Sequence, residues 1–350
     1  MSDSHTSSDQ KQGQIDLIYG LNDRPKPLIA FFAALQHLLA IIVPIVTPGL
    51  LICLALGVSP QDTNMILSMS LVISGVATFL QCKKIGPFGA GLLIVQGTSF
   101  NFIGPMIGIG SAMVAAGTPV EAVMASIFGV VIAGLKDAPL IQIPTPMHFG
   151  ISFSWSLFIP MAFIYLVTSL EAIGDVTATS KISNQPVDGP VWMERIKGGV
   201  LVNGANSFLA GLFNTFPSSV FAQNNGVIQL TGVASRFVGI WIAIMLIILG
   251  LFPAVAGIIQ AVPQAVLGGA VMVMFGAVAA SGINILSGIQ LDRRALLIIA
   301  ISLALGLGVA QVPQILEHLP ELPRNIFSSG VATGGLAALI LNLVLPETKK

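Results

Sequence analysis

The chain has 350 residues, of which 54% are hydrophobic and 9% charged, and its formal net charge is zero. Soluble domains carry about 25% charged residues, so this composition argues against a water-facing surface and for a lipid-facing one. The balanced charge excludes the basic field that draws in nucleic acid.

Residues 1–24 are polar and are expected to form a disordered cytoplasmic tail. They lack the charged, apolar, small-residue order of a signal peptide. The stretches Leu28–Gln61, Ile85–Val120, Gly198–Ser235 and Phe237–Leu291 contain no Asp, Glu, Lys or Arg. A membrane helix needs about 20 mostly apolar residues. Spans are therefore expected near Leu28–Leu56, Asn64–Leu80, Gly91–Ala116, Phe153–Ser180, Lys197–Phe213, Asn224–Phe237, Val238–Val262, Ala265–Leu286, Ala295–Val309 and Phe327–Leu345. The apolar piece Val120–Leu135 is short for a span. Positive charges near span ends set orientation. Arg24, Lys26, Lys83, Lys84, Lys181, Arg195, Lys197, Arg293 and Arg294 all fall on one side if both termini are cytoplasmic.

Four polar groups interrupt the apolar pattern, and polar side chains inside a bilayer are costly and usually functional. The first is the pair Gln36-His37 in the opening span; a lone buried His also often just satisfies a backbone carbonyl. The second runs from Gln96 through Gly97, Thr98, Ser99 and Phe100 to Asn101. The third is Glu171 with Asp175, whose spacing of four puts both carboxyls on one helix face. That arrangement suits proton coupling or acceptance from a substrate N–H, while the plainer reading leaves Asp175 hydrated at a helix end. The fourth runs from Gln223 to Gly232. The second and fourth read as broken spans, one in each half of the chain, whose open backbone can line a cavity but cannot face lipid. Paired interruptions of this kind point to a transporter's midplane site; ordinary kinks lined with small residues are the alternative.

Enzyme signatures are missing: the sequence has no HExxH, Walker A, GxGxxG or GxSxG pattern. The two cysteines, Cys53 and Cys82, form no metal pattern or disulfide framework.

At these residues the chain resembles the nucleobase-ascorbate transporter family, or nucleobase–cation symporters of the second type, and within it the bacterial xanthine and uric acid permeases. The run Gln223-Asn224-Asn225-Gly226-Val227-Ile228-Gln229-Leu230-Thr231-Gly232 is similar to that family's central motif in its purine form. Gln36-His37 is similar to its QH pair, and Ser169-Leu170-Glu171-Ala172-Ile173-Gly174-Asp175 to its acidic eighth segment.

The resemblance implies an all-α polytopic inverted-repeat transporter with core and gate domains and two short β-strands in the broken spans. In substrate binding it implies Glu171, Gln223, Phe100, Ser99, His37, Asn224 and Gly226. Proton coupling would fall to Glu171 and Asp175, and support or specificity to Gln36, Gln96, Asn203, Asn225 and Thr231. The substrate would be xanthine or uric acid, moved across the inner membrane with a proton as coupling ion and no other cofactor or metal. The lipid bilayer would be the surrounding partner, nucleic acid would be none, and a homodimer is expected.

Two departures accompany the resemblance. Asn203 stands where many relatives carry Asp. Between Ile127-Phe128-Gly129 and Pro144-Thr145-Pro146, about fifteen residues replace the family's segments five to seven, which need roughly 90. The expected organisation is a first core repeat at 25–135, a junction at 136–150, a second core repeat at 151–262 and a gate remainder at 263–346. Val120–Leu135 is then expected not to cross, with Lys136 and Asp137 outside or in a re-entrant turn. An internally deleted, transport-inactive relative is the alternative function. A related sulfate-carrier type of anion transporter is disfavoured by the acid at Glu171.

Overall fold

The structure is a computed structural model, and it describes residues 16–128, 146–150, 152–260, 291–320 and 330–346, with isolated helical positions at 269–286 and 323–327. It is mostly helical. Helix α1 (Pro27–Leu56) and α2 (Pro60–Lys83) lead into strand β1 (Gln96–Thr98), a 3-10 turn (Phe100–Phe102), α3 (Ile103–Ala115) and α4 (Val120–Phe128). Then follow α5 (Trp155–Ile182), α6 (Gly189–Leu212), strand β2 (Ser218–Val220), α7 (Gln223–Thr231), α8 (Arg236–Leu251) and α9 (Pro253–Gln260). Helices α10 (Arg293–Gln311) and α11 (Gly330–Val344) close the described chain. Among the described residues four helices, α1, α2, α5 and α10, are long and apolar enough to cross a membrane. The length of the apolar runs explains them; Pro27 and Pro60 start α1 and α2, where a missing N–H costs nothing.

The order of two long helices, a three-residue strand and a shorter helix occurs twice. The packing partners recur with it: α1 meets α2 and α3 as α5 meets α6 and α7, and α2 meets α8 as α6 meets α4. The two strands, 120 residues apart, pair antiparallel with Gly97 opposite Ser219. This crossing is tight. A Cβ on Gly97 would run into the Phe221 ring and approach Ile45 Cγ1 at 2.7 Å.

Helix α2 lies at the centre. It crosses α8 closely because both carry glycine at the contact: a Cβ on Gly75 would lie 2.7 Å from the Ala243 carbonyl, and one on Gly250 2.7 Å from that of Ser68. Small residues allow such approach where lipid offers no hydrophobic drive between helices. Ile41 and Ile45 of α1, Leu67 and Leu71 of α2, and Ile242 and Leu246 of α8 are buried in one core. Helices α10 and α11 pack on each other, and α11 reaches the rest through α5. Leu296, Leu297, Leu303, Leu305 and Leu307 of α10 are exposed, as suits a lipid-facing surface. Phe153, Trp155 and Phe158 form an exposed aromatic cluster at the start of α5, a composition typical of the membrane interface.

Several expectations need correction. The tail was drawn to residue 24, but residues 18–23 are ordered: Ile18 and Tyr19 N–H donate to the Gly232 carbonyl at 2.9 and 3.1 Å, and Ala234 N–H donates to Tyr19 at 2.9 Å. Backbone pairing compensates there for the polar composition. Helix α6 begins at Gly189, two turns before Lys197, because the charged residues Glu194, Arg195 and Lys197 ride on a helix end that protrudes beyond the apolar run. The stretch Val238–Val262 is two helices, broken where Pro253 follows Phe252. The motif Gln223–Gly232 is itself helical, and the break in the second half lies just upstream, in Ser218–Val220. The expectations for Lys136, Asp137 and most of 136–150 and Ala265–Leu286 lie outside the described residues.

Candidate functional site

The site grows from the strand crossing. Buried residues Leu92 to Val95 carry the chain into β1, and Phe221 N–H donates to the Val95 carbonyl at 2.9 Å while Ser99 N–H donates to Pro217 at 3.0 Å. These bonds lengthen the ladder beyond three residues on each side. Each strand is followed within a few residues by the N-terminus of a short helix: the 3-10 turn and α3 after β1, α7 after β2. Unpaired N–H groups at helix starts favour negative charge or acceptor atoms.

Around this crossing α1, α2, α5, α6 and α7 deliver polar side chains. From α1, His37 is fully buried and its Nδ1 lies 2.7 Å from Asn224 Oδ1. Asn224 in turn donates from Nδ2 to the Leu93 carbonyl at 2.7 Å. From α5, the carboxylate Oε2 of Glu171 accepts from Asn101 Nδ2 at 2.7 Å, and the same amide lies 3.3 Å from Thr168 Oγ1. One turn on, Asp175 is buried and its Oδ2 has no partner among the described residues. It lies seven residues before the end of α5, which excludes a hydrated helix terminus. One further turn along the same face, Thr179 donates to Asn225 Oδ1 of α7 at 2.7 Å. From α6, Asn206 donates to Gln96 Oε1 at 3.3 Å, while Gln96 N–H donates to Thr78 of α2 at 3.1 Å. Asn203 is fully buried on the same helix, and neither of its amide atoms has a partner among the described residues.

Gln223 is half-buried at the first residue of α7, and Gly226 is one turn later. A Cβ built on Gly226 meets no atom within 4 Å among the described residues, so this side of α7 is open there. Ser99 is buried and caps the 3-10 turn by accepting from Asn101 N–H at 3.3 Å; Phe100 is half-buried beside the α1–α8 core. Glu171 is exposed at the surface of the described body.

The structure thus gathers His37, Gln96, Ser99, Phe100, Glu171, Asp175, Asn224 and Asn225 at the crossing. No hydrogen bond among the described residues joins Glu171 to Gln223 directly. Two expected residues lie apart. Gln36 is exposed, because one residue on a helix turns it away from the buried face that holds His37. Thr231 sits about 12 Å along α7 from Gln223, and its hydroxyl closes its own helix end by donating to Val227 at 2.7 Å. Thr168, Thr179 and Asn206 join the site without having been expected from the sequence, and Asn101 takes a role there that its polar run alone does not assign. Asn101 belongs to the polar run after Gln96, which was a signal; hydroxyls at 168 and 179 extend the Glu171–Asp175 face at helical spacing. Among the described residues no cluster of His, Cys, Asp and Glu could hold a metal.

The sequence model of the Permease family matches residues 28–135 and again 132–315. The xanthine permease XanP of Escherichia coli K12 is 44% identical over 96% of this chain and 96% of its own length. The xanthine permease XanQ of the same strain is 34% identical over 97% and 96%, and a putative purine permease of Clostridium perfringens is 32% identical over 97% and 95%. The XanP alignment runs over 443 positions while this chain has 350 residues, so at least 93 positions (443 − 350) have no counterpart in it. A match covering most of the chain settles the kinship: the chain belongs to the Permease family, fits the nucleobase-ascorbate transporter group, and is a multi-pass membrane transport protein rather than an enzyme.

Proposed function

We propose that the chain binds an oxopurine, xanthine first, at the strand crossing and carries it across the inner membrane with a proton by alternating access. The observation that carries this reading is the convergence of polar groups from both halves: Asn101 of the first broken segment on Glu171, and His37 of α1 on Asn224 of the second. An oxopurine presents alternating N–H and C=O groups. A carboxylate accepts from two N–H groups, and an amide both donates and accepts, so Glu171 and Gln223 suit the two kinds of edge. Phe100 offers a face for the ring, Ser99 a backbone edge, and Gly226 the room. His37 acts through Asn224 as a positioning residue. Asp175, one turn from Glu171, is the second acid for proton exchange. Uric acid fits the same groups, since it adds further N–H and C=O atoms.

The recurring element order and packing of α1–α4 and α5–α8 support an inverted repeat. Both termini are cytoplasmic in this reading, since Arg24, Lys84 and Arg195 then share one side.

A second reading has its own support. The family match breaks at 132–135, and at least 93 aligned positions are missing, close to the roughly 90 that three spans with connections need. Glu171 is exposed, as an acid normally covered by those spans would be. In this reading the chain binds purine without moving it.

Uptake of labelled xanthine in cells lacking their own xanthine permeases, alongside binding to the purified protein, separates the two. Uptake that Glu171→Gln abolishes supports transport. Binding without uptake supports the deleted form. Unchanged binding in Glu171→Gln refutes the site.

A further inference from the structure

Beyond the purine site, three arginines lie at one end of the bundle without an acidic partner among the described residues. That end is fixed by several contacts. Lys84, just past α2, pairs with Glu194 near the start of α6 at 3.0 Å. Trp192 of α6 donates to Thr177 near the end of α5 at 3.1 Å. Arg236 opens α8, and its N–H donates to the Leu21 carbonyl at 3.1 Å, while Ser235 donates to that of Asp23 at 2.7 Å. The start of α1, the ends of α2 and α5 and the starts of α6 and α8 therefore share one layer.

Within this layer the guanidinium of Arg24 lies 4.5 Å from the centre of the Phe237 ring, and that of Arg236 lies 5.3 Å from the same ring. Arg195 and Arg236 flank the same end of α2: Glu194, the residue before Arg195, pairs with Lys84, and a Cβ on Gly239, one turn after Arg236, would run into Cys82. Arg195 Nη2 donates to Gln185 Oε1 at 2.8 Å, which is a neutral acceptor. The ion pairs among the described residues are Lys84–Glu194 and His148–Asp62, so none of these three arginines is neutralised there. Glu194 is already held by Lys84, and the Asp23 carboxylate accepts from Gly20 N–H at 2.8 Å.

Two donors are left over. Arg195 Nη1 and Arg236 Nε are shielded from water and have no partner among the described residues. A buried polar group without a partner is unfavourable and calls for an explanation. Here the two orphaned donors belong to like charges on α6 and α8 that flank the same end of α2. Side chains paired as a structural ion network would carry a carboxylate; these carry none.

We propose that Arg195 and Arg236, with Arg24 beside them, form a binding site for a phosphate-bearing anion. Guanidinium groups suit phosphate because their planar N–H forks grip two oxygens at once. The level of the site identifies the source. The uncharged runs Gly198–Ser235 and Phe237–Leu291 begin within a few residues of Arg195 and Arg236, which places the arginines where hydrocarbon gives way to headgroups. Basic pockets between membrane helices on the cytoplasmic side take anionic headgroups. The ligand is therefore the headgroup phosphate of an anionic phospholipid, bridging the starts of α6 and α8. This site is independent of purine binding and of whether the chain transports.

The test uses the purified full chain in a neutral detergent. Phosphatidylglycerol, phosphatidylcholine and inorganic phosphate are titrated separately while the melting temperature is followed, and native mass spectrometry counts retained lipids. The wild type is expected to show a saturable rise with phosphatidylglycerol, at least one retained phosphatidylglycerol and no comparable response to phosphatidylcholine. Arg195→Gln is expected to weaken the phosphatidylglycerol response about tenfold, the loss of one charge-assisted bond. Arg195→Lys, which keeps the charge but not the fork, should lie between. A response to inorganic phosphate that Arg195→Gln also removes, with none to phosphatidylglycerol, keeps the anion site but assigns it to the free ion. Equal responses of wild type and Arg195→Gln, or equal retention of the two lipids by the wild type, overturn the proposal. The lipid count on the wild type decides the matter even where a variant fails to fold.

Discussion

His37 Nδ1 lies 2.7 Å from Asn224 Oδ1, joining residues 187 positions apart in the buried centre of the protein. Asn224 Oδ1 can only accept, so the imidazole proton sits on Nδ1. Because Asn224 Nδ2 also donates to the Leu93 carbonyl, one carboxamide ties α1, the approach to β1 and α7 together. Gln223 occupies the preceding residue, so any loosening of this tie reaches the open side of α7.

The tie is expected to be energetic as well as geometric. Removing either partner leaves a buried group unpaired, at a cost of about 1–3 kcal/mol. His37→Ala and Asn224→Ala should each lower stability by that amount, and the double variant by less than the sum. A coupling of about 1 kcal/mol is the expected result of the double-mutant cycle, read from unfolding of the purified protein in detergent. Additive losses would mean that the contact holds nothing together.

Asn101 offers a second test, aimed at binding rather than stability. Its amide donates to Glu171 at 2.7 Å, fixing a carboxylate that would otherwise rotate freely at an exposed position. Asn101→Ala should leave the melting temperature nearly unchanged, yet raise the dissociation constant for xanthine by about tenfold, as the loss of one bond to a charged group implies. Asn101→Asp should be worse, because it sets a second carboxylate against the first. Calorimetric titration with xanthine checks both.

Gly226 separates folding from function more sharply. A side chain there meets nothing within 4 Å, and alanine in a helix interior is favoured over glycine by roughly 0.5–1 kcal/mol. Gly226→Ala should therefore hold or raise the melting temperature. If the open side of α7 is where the purine lies, the same methyl group should weaken xanthine binding about tenfold or more. A variant that is more stable and binds normally would move the substrate off this face.

Much of this architecture is legible in the sequence because bilayer physics is coarse. Long apolar runs define α1, α2, α5 and α10, and the polar interruptions at Gln96 and Gln223 mark the crossing. What escapes is local. Ser218–Val220 is too short to show alternation, so β2 is invisible until its partner Gln96–Thr98 is known. Helix α6 hides its first two turns because Glu194, Arg195 and Lys197 read as loop when a helix end protrudes from lipid. Asn101 sits in a flagged run, but only the fold turns it toward Glu171. Thr179 looks like any helix hydroxyl until Asn225 appears opposite it. The ordered residues 18–23 depend on backbone pairing with 232–236, which carries no side-chain signature.

The last prediction concerns the interruption. The family match falls into two pieces that meet at 132–135, the point at which the second reading proposed above sets the loss of intervening spans. Inserting the missing segment of XanP at this point should restore a covering for Glu171, which is now exposed. Alternating access requires one unit to rock against another, and the insertion returns a second unit to rock against. The chimera is expected to take up labelled xanthine faster than the native chain, with an affinity set by the same Glu171, so that Glu171→Gln abolishes uptake in the chimera too. Equal uptake by chimera and native chain would show that α10, α11 and the residues around them already suffice as the opposing unit, and that the deleted reading is wrong.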